Sequence, residues 1–323
     1  MKILISDYKE QMEPDYTLTI DILREILPDA TIAIEPYGST PFYKELHVAE
    51  GLITAFIPVD QPLLERAPKL RCISLNSAGF SNLSINALKE RGIAACHITE
   101  YCTREVSEHA IALMLALNHN LPAYQQDITT NHNWLYQSVP APKTLNHKTL
   151  AIFGFGRIGR MTSALAQGLG MQVIAVDPYV SPEDMKRQNV KWAEPAKAFC
   201  TADVIINHMA LTPDNYHFFN QTAFRSMTRQ PIFINVGRGG CVDEDALLEA
   251  LNQKYIQAAG LDVLEDENPD LKLCPFVGRP DVILTPHCAF YSEASINKLH
   301  QISARNLAYY LTGNYENVEG LLT

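Results

Sequence analysis

Side chains suited to proton transfer and anion binding follow three apolar segments in the second half of the chain. Arg238 lies between two glycines after the first of these segments, and His287 follows the last. Three acids, Glu265, Asp266 and Glu267, come between them. A histidine exchanges protons near neutral pH, a neighbouring carboxylate stabilises its imidazolium form, and an arginine binds a substrate carboxylate and polarises the reacting oxygen. These residue types suit proton transfer to and from a 2-hydroxy or 2-oxo acid.

The segment Gly154-Phe155-Gly156-Arg157-Ile158-Gly159 has the glycine spacing of a dinucleotide-binding turn. An apolar run precedes it, and an amphipathic segment over residues 160–170 follows it. In such a turn the first glycine allows a tight bend, the second lets backbone approach the pyrophosphate, and the third lets helix and strand pack closely. The helix N-terminus then faces the phosphates. A strand–helix crossover without a ligand is the alternative, but the context on both sides favours a dinucleotide.

Asp177 ends the next apolar run, at the offset from the glycines where dinucleotide-binding proteins carry an acid. A carboxylate there accepts hydrogen bonds from the adenosine ribose hydroxyls and repels a 2′-phosphate. No arginine follows immediately, because the next residues are Pro178, Tyr179 and Val180. The sequence therefore predicts NAD rather than NADP. With the groups described above, it predicts hydride transfer between NAD and a 2-hydroxy acid.

Parallel strands would position these side chains. Apolar runs at residues 204–207, 232–236, 258–262 and 282–286 each end at polar or charged residues. In an open α/β sheet, ligands bind outside the carboxyl ends of the strands. We therefore expect the arginine, a carboxylate and the histidine to converge beside the nicotinamide. Taken singly, each could instead be a surface ion-pair partner, a solvated acid or a strand cap.

The first hundred residues alternate between strand-like and helix-like segments. Strands are predicted at residues 2–6, 31–34, 51–54, 72–75 and 92–95, and helices at 16–27 and 84–91. A long apolar helix over residues 105–118 is predicted to cross from one domain to the other, and a last helix over 292–311 to return to the first domain. The alternation predicts an α/β fold with two doubly wound parallel-sheet domains, a Rossmann coenzyme domain and a flavodoxin-like substrate domain.

The order of these segments also predicts the domain boundaries. The substrate-binding domain is expected to be discontinuous, over residues 1–101 and 290–323. The NAD-binding Rossmann domain is expected to cover residues 102–289.

Composition disfavours several kinds of partner. The 323 residues carry a net charge of −10, which argues against nucleic acid and anionic membrane surfaces. No apolar stretch reaches transmembrane length, and the N-terminus lacks the features of a signal peptide. Seven cysteines without a Cys-x-x-Cys pair suit free thiols in a reducing cytoplasm, and no metal site is predicted. We expect a cytoplasmic protein with a small-molecule substrate.

At these residues the chain resembles the D-isomer-specific 2-hydroxyacid dehydrogenases. The resemblance covers almost the whole length and is clearest between residues 70 and 306. Besides the glycine turn, it rests on Ser77-Ala78-Gly79-Phe80-Ser81-Asn82, Val106-Ser107-Glu108-His109-Ala110, His208-Met209-Ala210-Leu211-Thr212-Pro213, Asn235-Val236-Gly237-Arg238-Gly239, Gly260-Leu261-Asp262-Val263 and Thr285-Pro286-His287. Seven motifs in this order make the match specific.

The resemblance implies a role for each of these motifs. It implies Arg238, Glu267 and His287 as the catalytic set, with Glu267 chosen as the acid five residues after Asp262. The substrate would be held by Arg238, by the backbone of Ala78 and Gly79, and by Tyr101. The coenzyme NAD would be bound by Gly154, Gly156, Arg157, Ile158, Gly159, Asp177, Met209, Ala210, Asn215, Val236 and Asp262. The resemblance also implies a homodimer built through the coenzyme domains, with catalysis in an interdomain cleft.

Several positions depart from the family pattern. Asn268 separates the acid from Pro269, where relatives usually have the proline directly after it, so Glu265 is the alternative acid. Ala210 replaces a proline, and Asn76 stands where many relatives carry arginine. Ser81 and Ser84 stand where acids are common.

Aromatic residues indicate the substrate class less directly. The pocket is expected to be lined by Phe56, Asn76 and Tyr101, with Tyr291 or a partner subunit's Trp134 as further candidates. Such a lining favours pyruvate or a branched-chain 2-oxo acid. The alternative is that these aromatics only pack in the core.

Other functions share this set of residues. An NAD(H)-sensing binding protein, like the transcriptional corepressors of the same superfamily, would retain the catalytic residues. A phosphoglycerate or glycerate dehydrogenase is a closer alternative. A formate dehydrogenase is disfavoured. Formate dehydrogenases resemble a version of this fold in which glutamine replaces the catalytic acid, whereas this chain has Glu267.

Overall fold

The computed structural model describes residues 1–80 and 82–323, which form an α/β protein. The strands are β1 (Lys2–Ile5), β2 (Thr31–Ile34), β3 (Gly51–Thr54), β4 (Cys72–Leu75), β5 (Ala94–Cys96), β6 (Thr149–Phe153), β7 (Gln172–Val176), β8 (Lys191–Trp192), β9 (Val204–Asn207), β10 (Ile232–Asn235), β11 (Ala258–Leu261) and β12 (Val282–Leu284). The helices are α1 (Thr17–Ile26), α2 (Thr40–Leu46), α3 (Gln61–Glu65), α4 (Ile85–Arg91), α5 (Thr103–Asn118), α6 (Leu121–Asn131), α7 (Arg157–Gly168), α8 (Pro182–Lys186), α9 (Pro195–Thr201), α10 (Gln221–Arg225), α11 (Glu244–Asn252) and α12 (Glu293–Thr312). Short 3-10 helices cover Lys9–Gln11, Tyr136–Ser138, Pro213–Asn215, Gly239–Cys241 and Tyr315–Asn317.

The chain divides into two compact units. The first contains Met1–Tyr101 and Ser292–Thr323, and the second contains Cys102–Tyr291. All of α5 lies in the second unit, whereas the sequence analysis expected this helix to cross between domains. The assignment of one domain to the substrate and the other to NAD remains a prediction.

The first unit has a parallel sheet of five strands in the order β2-β1-β3-β4-β5. This is the strand order of flavodoxin-like sheets. Strands β3 and β4 are buried along their whole length, as expected for parallel strands covered on both faces. Helices α1 and α12 pack on one face of the sheet, and α2, α3 and α4 pack on the other.

The second unit has a parallel sheet of seven strands in the order β12-β11-β10-β9-β6-β7-β8. The order reverses between β6 and β9, which makes that position the topological switch point where doubly wound sheets bind their ligands. Helices α5 and α7 cover one face, and α9, α10 and α11 cover the other. The predicted fold class, α/β with two doubly wound parallel sheets, is confirmed.

The sequence misplaced one strand and missed two helices of the first unit. The strand predicted at residues 92–95 is β5, Ala94–Cys96, because Gly92 takes a left-handed conformation with φ +65° and ends α4. Helices α2 and α3 are short, with 7 and 5 residues, and each has a proline in its first turn. Too few residues are present in either for a hydrophobic period to be recognised. Among the helices of the described residues, none combines the length and hydrophobicity needed to cross a membrane.

Candidate active site

The glycine turn lies between β6 and α7, at the switch point of the second sheet. Gly154 has φ +89°, and a Cβ there would lie 2.8 Å from the backbone carbon of His208. A Cβ on Gly159 would lie 2.2 Å from the carbonyl oxygen of Gly154. Gly156 is different: a Cβ there would meet no atom within 4 Å. The protein's own packing thus requires the first and third glycines, whereas the second borders open space in which a pyrophosphate could lie.

Asp177 follows β7 and is connected to the glycine turn through its side chain. One carboxylate oxygen accepts a hydrogen bond from the N–H of Phe155 at 2.7 Å, and the other accepts from the N–H of Tyr179 at 2.8 Å. The acid is half-buried beside the exposed Gly156 and Arg157. The structure therefore holds the Asp177 carboxyl group next to the turn, and its contact with a ribose remains a prediction.

Two buried asparagines hold the turn that carries Arg238. Asn207 ends β9 and donates to the side-chain oxygen of Asn235, at the end of β10, over 2.9 Å. The same Asn235 oxygen accepts from the N–H of Gly237 at 3.2 Å, and the Asn235 amide donates to the carbonyl of Arg238 at 3.1 Å. The Asn207 oxygen accepts from the N–H of Met209 at 3.0 Å. The sequence analysis gave these asparagines no role, although a polar side chain ending each of two buried strands could have indicated one.

The glycines beside Arg238 are explained by close contacts within the chain. A Cβ on Gly237 would lie 2.8 Å from the carbonyl oxygen of Met209, and one on Gly239 would lie 1.9 Å from that of Leu264. Neighbouring backbone therefore excludes a side chain at both positions. The exposed Arg238 side chain donates from Nη1 to the Gly237 carbonyl at 2.7 Å. This hydrogen bond restrains the orientation of the guanidinium group.

His287 and Glu267 form a direct pair. Nδ1 of His287 lies 2.7 Å from a carboxylate oxygen of Glu267. This hydrogen bond lowers the pKa of Glu267 despite the desolvation of its carboxyl, and the charges of His287 and Arg238 lower it further. The Arg238 guanidinium is therefore within electrostatic range of the Glu267 carboxyl. The structure pairs two members of the predicted catalytic set, His287 and Glu267, and Arg238 follows the end of β10 at the same edge of the sheet.

The alternative acid, Glu265, has other partners. Its carboxylate accepts from the hydroxyl of Tyr216 and lies 3.2 Å from Nε2 of His217. These partners lower the pKa of Glu265, the Tyr216 hydrogen bond most of all. Of the two acids, Glu267 is therefore the one that contacts His287.

A buried carboxylate, Asp262, fixes the backbone of His287. Asp262 follows β11, is 2 % exposed, and accepts from the hydroxyl of Thr285 at 2.6 Å and from the N–H groups of Cys288 at 2.9 Å and Ala289 at 3.0 Å. The N–H of His287 donates to the Asp262 carbonyl at 2.8 Å. His287 itself has φ +49°, an uncommon conformation for a side chain other than glycine. The bonds to Asp262 hold it there.

The remaining predicted coenzyme contacts lie after β9 and β10. His208 is half-buried, its Nε2 lies 2.9 Å from the Thr162 hydroxyl, and desolvation of the ring lowers its pKa to about 3, so it is neutral at physiological pH. Met209 and Ala210 follow it at the sheet edge. Asn215 donates to the carbonyl of Ala210 at 2.7 Å and accepts from the N–H of Thr212 at 2.7 Å. The Asn215 amide thus closes the loop that carries Ala210. Contacts of Asn215 and Val236 with the coenzyme remain predictions.

The predicted substrate-side residues in the first unit lie at the carboxyl edge of its sheet. The exposed Ala78 and Gly79 have their carbonyl oxygens hydrogen-bonded, to Nδ1 of His97 at 2.8 Å and to the Ser77 hydroxyl at 2.6 Å, respectively. The side-chain oxygen of Asn76 accepts from the hydroxyl of Ser303 in α12. These bonds fix the orientation of the peptide groups proposed to hold a carboxylate.

The aromatic candidates differ in exposure. Phe56 is 49 % exposed and Tyr101 is half-buried, while Tyr291 is 69 % and Trp134 is 87 % exposed. The alternative that they serve only as core therefore does not apply to Phe56, Tyr291 or Trp134. Ser81, one of the departures from the family pattern, lies outside the described residues.

Comparison with known proteins identifies the family. Residues 111–289 match the family described as D-isomer specific 2-hydroxyacid dehydrogenase, NAD binding domain. The chain belongs to the D-isomer-specific 2-hydroxyacid dehydrogenase family. The matched residues all lie within the second unit, which carries the glycine turn.

Relatives and solved structures agree with this assignment. A hydroxypyruvate reductase of Blautia hydrogenotrophica is 32 % identical over 275 residues, covering 84 % of each chain. The D-lactate dehydrogenase of Escherichia coli is 32 % identical over 263 residues, covering 77 % of this chain and 79 % of the other. The D-lactate dehydrogenase of Aquifex aeolicus, solved in complex with NAD and lactic acid, is 26 % identical and superposes with a TM-score of 0.85 over 99 % of this chain and 98 % of that one.

For this dehydrogenase, the open space beside Gly156 yields a testable prediction. Gly156→Ala should weaken NADH binding by more than about tenfold, roughly 1.4 kcal/mol, because the added methyl would occupy the space of the pyrophosphate. Thermal unfolding should be unchanged or occur slightly higher, since the methyl meets no protein atom within 4 Å. Fluorescence titration with NADH and a thermal melt measure the two effects.

Gly168→Ala is the matched control, because Gly168 ends the same helix and a Cβ there also meets no atom within 4 Å. It should bind NADH like the unmodified protein. Equal NADH affinity in both variants would show that no phosphate approaches Gly156.

Proposed function

We propose that this protein interconverts a small 2-oxo acid and the corresponding D-2-hydroxy acid, with NAD(H) as the coenzyme. The observation that carries the proposal is the 2.7 Å contact between His287 and Glu267, with Arg238 close enough to lower the pKa of the same carboxyl. This constellation follows the strand ends where a doubly wound sheet binds its ligands. An acid–base group, a carboxylate that steadies it and an anion-binding group are the parts that this reaction needs from the protein.

In the reductive direction, the residues have distinct tasks. Because Nδ1 of His287 is bonded to Glu267, Nε2 is the ring nitrogen that gives a proton to the carbonyl oxygen of the substrate. Glu267 stabilises the imidazolium before that transfer. Arg238 binds the substrate carboxylate and polarises the reacting oxygen. Bound NADH supplies the hydride, so that one 2-oxo acid, one NADH and one proton give one 2-hydroxy acid and one NAD⁺.

The substrate class is supported by relatives and by the predicted pocket residues. The relatives described above are named for hydroxypyruvate and lactate, and others for glyoxylate. All are small 2-oxo or 2-hydroxy acids. Exposed Phe56 and half-buried Tyr101 lie in the unit predicted to bind the substrate and favour pyruvate or a branched-chain analogue.

A panel of glyoxylate, hydroxypyruvate, pyruvate and 2-oxoisocaproate, assayed with NADH, would rank these substrates by kcat/KM. No turnover with any of them would favour the NAD(H)-sensing alternative.

The assembly and the cellular compartment are also proposed. A homodimer through the coenzyme domains is supported by three successive exposed side chains after α6, Trp134, Leu135 and Tyr136, which are 87 %, 64 % and 80 % exposed. The particle mass in solution tests this.

A reducing cytoplasm is supported by seven free cysteines, including Cys72 and Cys96, whose sulfurs share a hydrogen bond at 3.9 Å rather than a disulfide. Thiol alkylation before lysis tests this.

Removal of the imidazole tests the catalytic role. His287→Ala should lower kcat by about 10²–10⁴-fold, because the proton donor is lost, while the NADH dissociation constant stays unchanged. Stopped-flow turnover and NADH fluorescence measure the two quantities. His217→Ala is the control, since this half-buried histidine of the same unit pairs with Glu265 and not with Glu267. Near-normal turnover of His287→Ala would remove His287 from the mechanism.

The two candidate acids can be distinguished by the pH dependence of 2-oxo acid reduction. The lowered pKa of Glu267 keeps its carboxylate ionised throughout the neutral range. Glu267→Gln removes that charge from the partner of His287, so kcat should fall by about tenfold or more across the neutral part of the profile. Glu265→Gln should leave the profile unchanged. A fall that occurs only in Glu265→Gln would reverse the assignment.

Coenzyme choice depends on Asp177 in this proposal. Asp177→Ala should raise the KM for NADH by about tenfold or more and that for NADPH much less, because ribose hydrogen bonds are lost and the repulsion of a 2′-phosphate is relieved. The ratio of kcat/KM for the two coenzymes measures the effect. An unchanged ratio would refute the ribose role of Asp177.

A further inference from the structure

Three potential metal ligands lie together at the carboxyl edge of the second sheet. They are Nε2 of His109 in α5, the carboxylate of Asp262 after β11 and the thiol of Cys288 after β12. All three ligand atoms lie within 4.8 Å of one another, and His109 Nε2 is 3.6 Å from Asp262 Oδ1. The residues are far apart in the chain, which is why no sequence spacing indicated the cluster.

The donor set suits Zn²⁺. Imidazole nitrogen, carboxylate oxygen and thiolate sulfur are the ligands of Zn²⁺, with metal–ligand distances of about 2.0–2.3 Å. Ligands around a tetrahedral ion with such distances lie about 3.3–3.8 Å apart. The separation of His109 and Asp262 already falls in that range. Small rotations of the half-buried Cys288 side chain would complete the three-ligand set.

Access and rigidity also fit an ion. The Asp262 side chain is 1 % exposed, whereas that of His109 is 22 % exposed, so the site is open to water on one side only. That opening supplies the fourth position of a three-ligand zinc site. The hydrogen bonds of Asp262 to Cys288 N–H and Ala289 N–H would orient the carboxylate, as outer-shell bonds do in metal sites.

Without an ion, hydrogen bonds link the same groups. His109 Nε2 lies 3.0 Å from the hydroxyl of Thr285, and that hydroxyl donates to Asp262. An ion would replace the contact between His109 and Thr285 and would require the sulfur as thiolate. On binding, the S–H bond of Cys288 is broken, the proton goes to solvent, and the sulfur lone pair forms the bond to the metal, with no change of oxidation state.

We propose that His109, Asp262 and Cys288 bind one Zn²⁺ in the coenzyme-free protein, and that Zn²⁺ and NADH exclude one another. The first half depends only on the cluster. The second half rests on the proposed function, because Asp262 is among the residues expected to contact the coenzyme. Zinc would then act as an inhibitor that occupies the edge of the sheet beside His287, whose N–H is bonded to the Asp262 carbonyl.

Cobalt provides a direct test of the ligand set. Chelator-treated protein without coenzyme is titrated with Co²⁺, and a thiolate-to-cobalt charge-transfer band in the near ultraviolet reports bonding to sulfur. One equivalent should saturate the band, and Zn²⁺ should abolish it. Cys288→Ser should lose the band and bind Zn²⁺ more than about tenfold more weakly, measured against a chromophoric chelator. His109→Asn should also weaken Zn²⁺ binding while keeping a sulfur band.

Cys274→Ser is the matched control, because Cys274 is another half-buried free thiol of the same unit that is not in the cluster. It should behave like the unmodified protein in both titrations. The absence of a band in the unmodified protein, or a band that persists in Cys288→Ser, would overturn the site.

Competition with NADH tests the second half separately. Adding NADH to the cobalt-loaded protein should remove the charge-transfer band, and Zn²⁺ should raise the apparent dissociation constant of NADH in the unmodified protein but not in Cys288→Ser. A band that persists at saturating NADH would overturn the exclusion while leaving the metal site in place. Failure of NADH to bind metal-free protein would instead count against the proposed function.

Discussion

The candidate active site depends on how one buried carboxylate is satisfied. Asp262 is 2 % exposed, and an unpaired charge at that depth would cost several kcal/mol. A hydroxyl and two backbone N–H groups from residues 285–289 supply the compensation, and they can do so only if the segment after β12 folds back against the end of β11. That fold places His287 in its left-handed conformation and directs Nδ1 towards Glu267. Asp262 therefore sets the geometry of the His287–Glu267 pair through backbone and hydroxyl hydrogen bonds of the segment that carries His287.

Buried polar side chains also restrict the turns after the next two strands of the sheet, β10 and β9. Asn207 and Asn235 end β9 and β10, are buried, and bond to each other. Their remaining amide groups bind the backbone of Met209, Gly237 and Arg238. A buried amide left without partners would be costly, so the turns after both strands are restricted to conformations that satisfy it. Polar side chains at the ends of four neighbouring strands, β9 to β12, thus position the segments that carry the candidate functional groups.

The sequence predicted the sheets and the positions of the functional segments because both depend on local pattern. Buried parallel strands are continuous apolar runs, and the residue after each run necessarily lies at the carboxyl edge. Glycine spacing and the acid at Asp177 could be recognised for the same reason. The choice between Glu265 and Glu267 could not be made locally, since it depends on Tyr216 and His217, which lie almost fifty residues earlier and bind Glu265. The left-handed Gly92 was missed because a glycine fits a helix cap and a strand start equally well in sequence.

The charge of the site differs from that of the whole protein, and this difference bears on how an anionic substrate could bind. A net charge of −10 repels a 2-oxo acid at long range, but charges on the distant surface are screened beyond about 8–10 Å at physiological ionic strength. Within that distance, Glu267 is ionised and His287 lies 2.7 Å from it, so the pair is neutral when the imidazole carries its proton. Arg238 then supplies a positive charge within range of this pair, beside the negative charge of Asp266. Protonation of His287 would therefore have two effects. It would supply the proton for reduction, and it would prevent Glu267 from repelling the substrate carboxylate. The form of the protein that is able to react would then also be the form that binds the 2-oxo acid better.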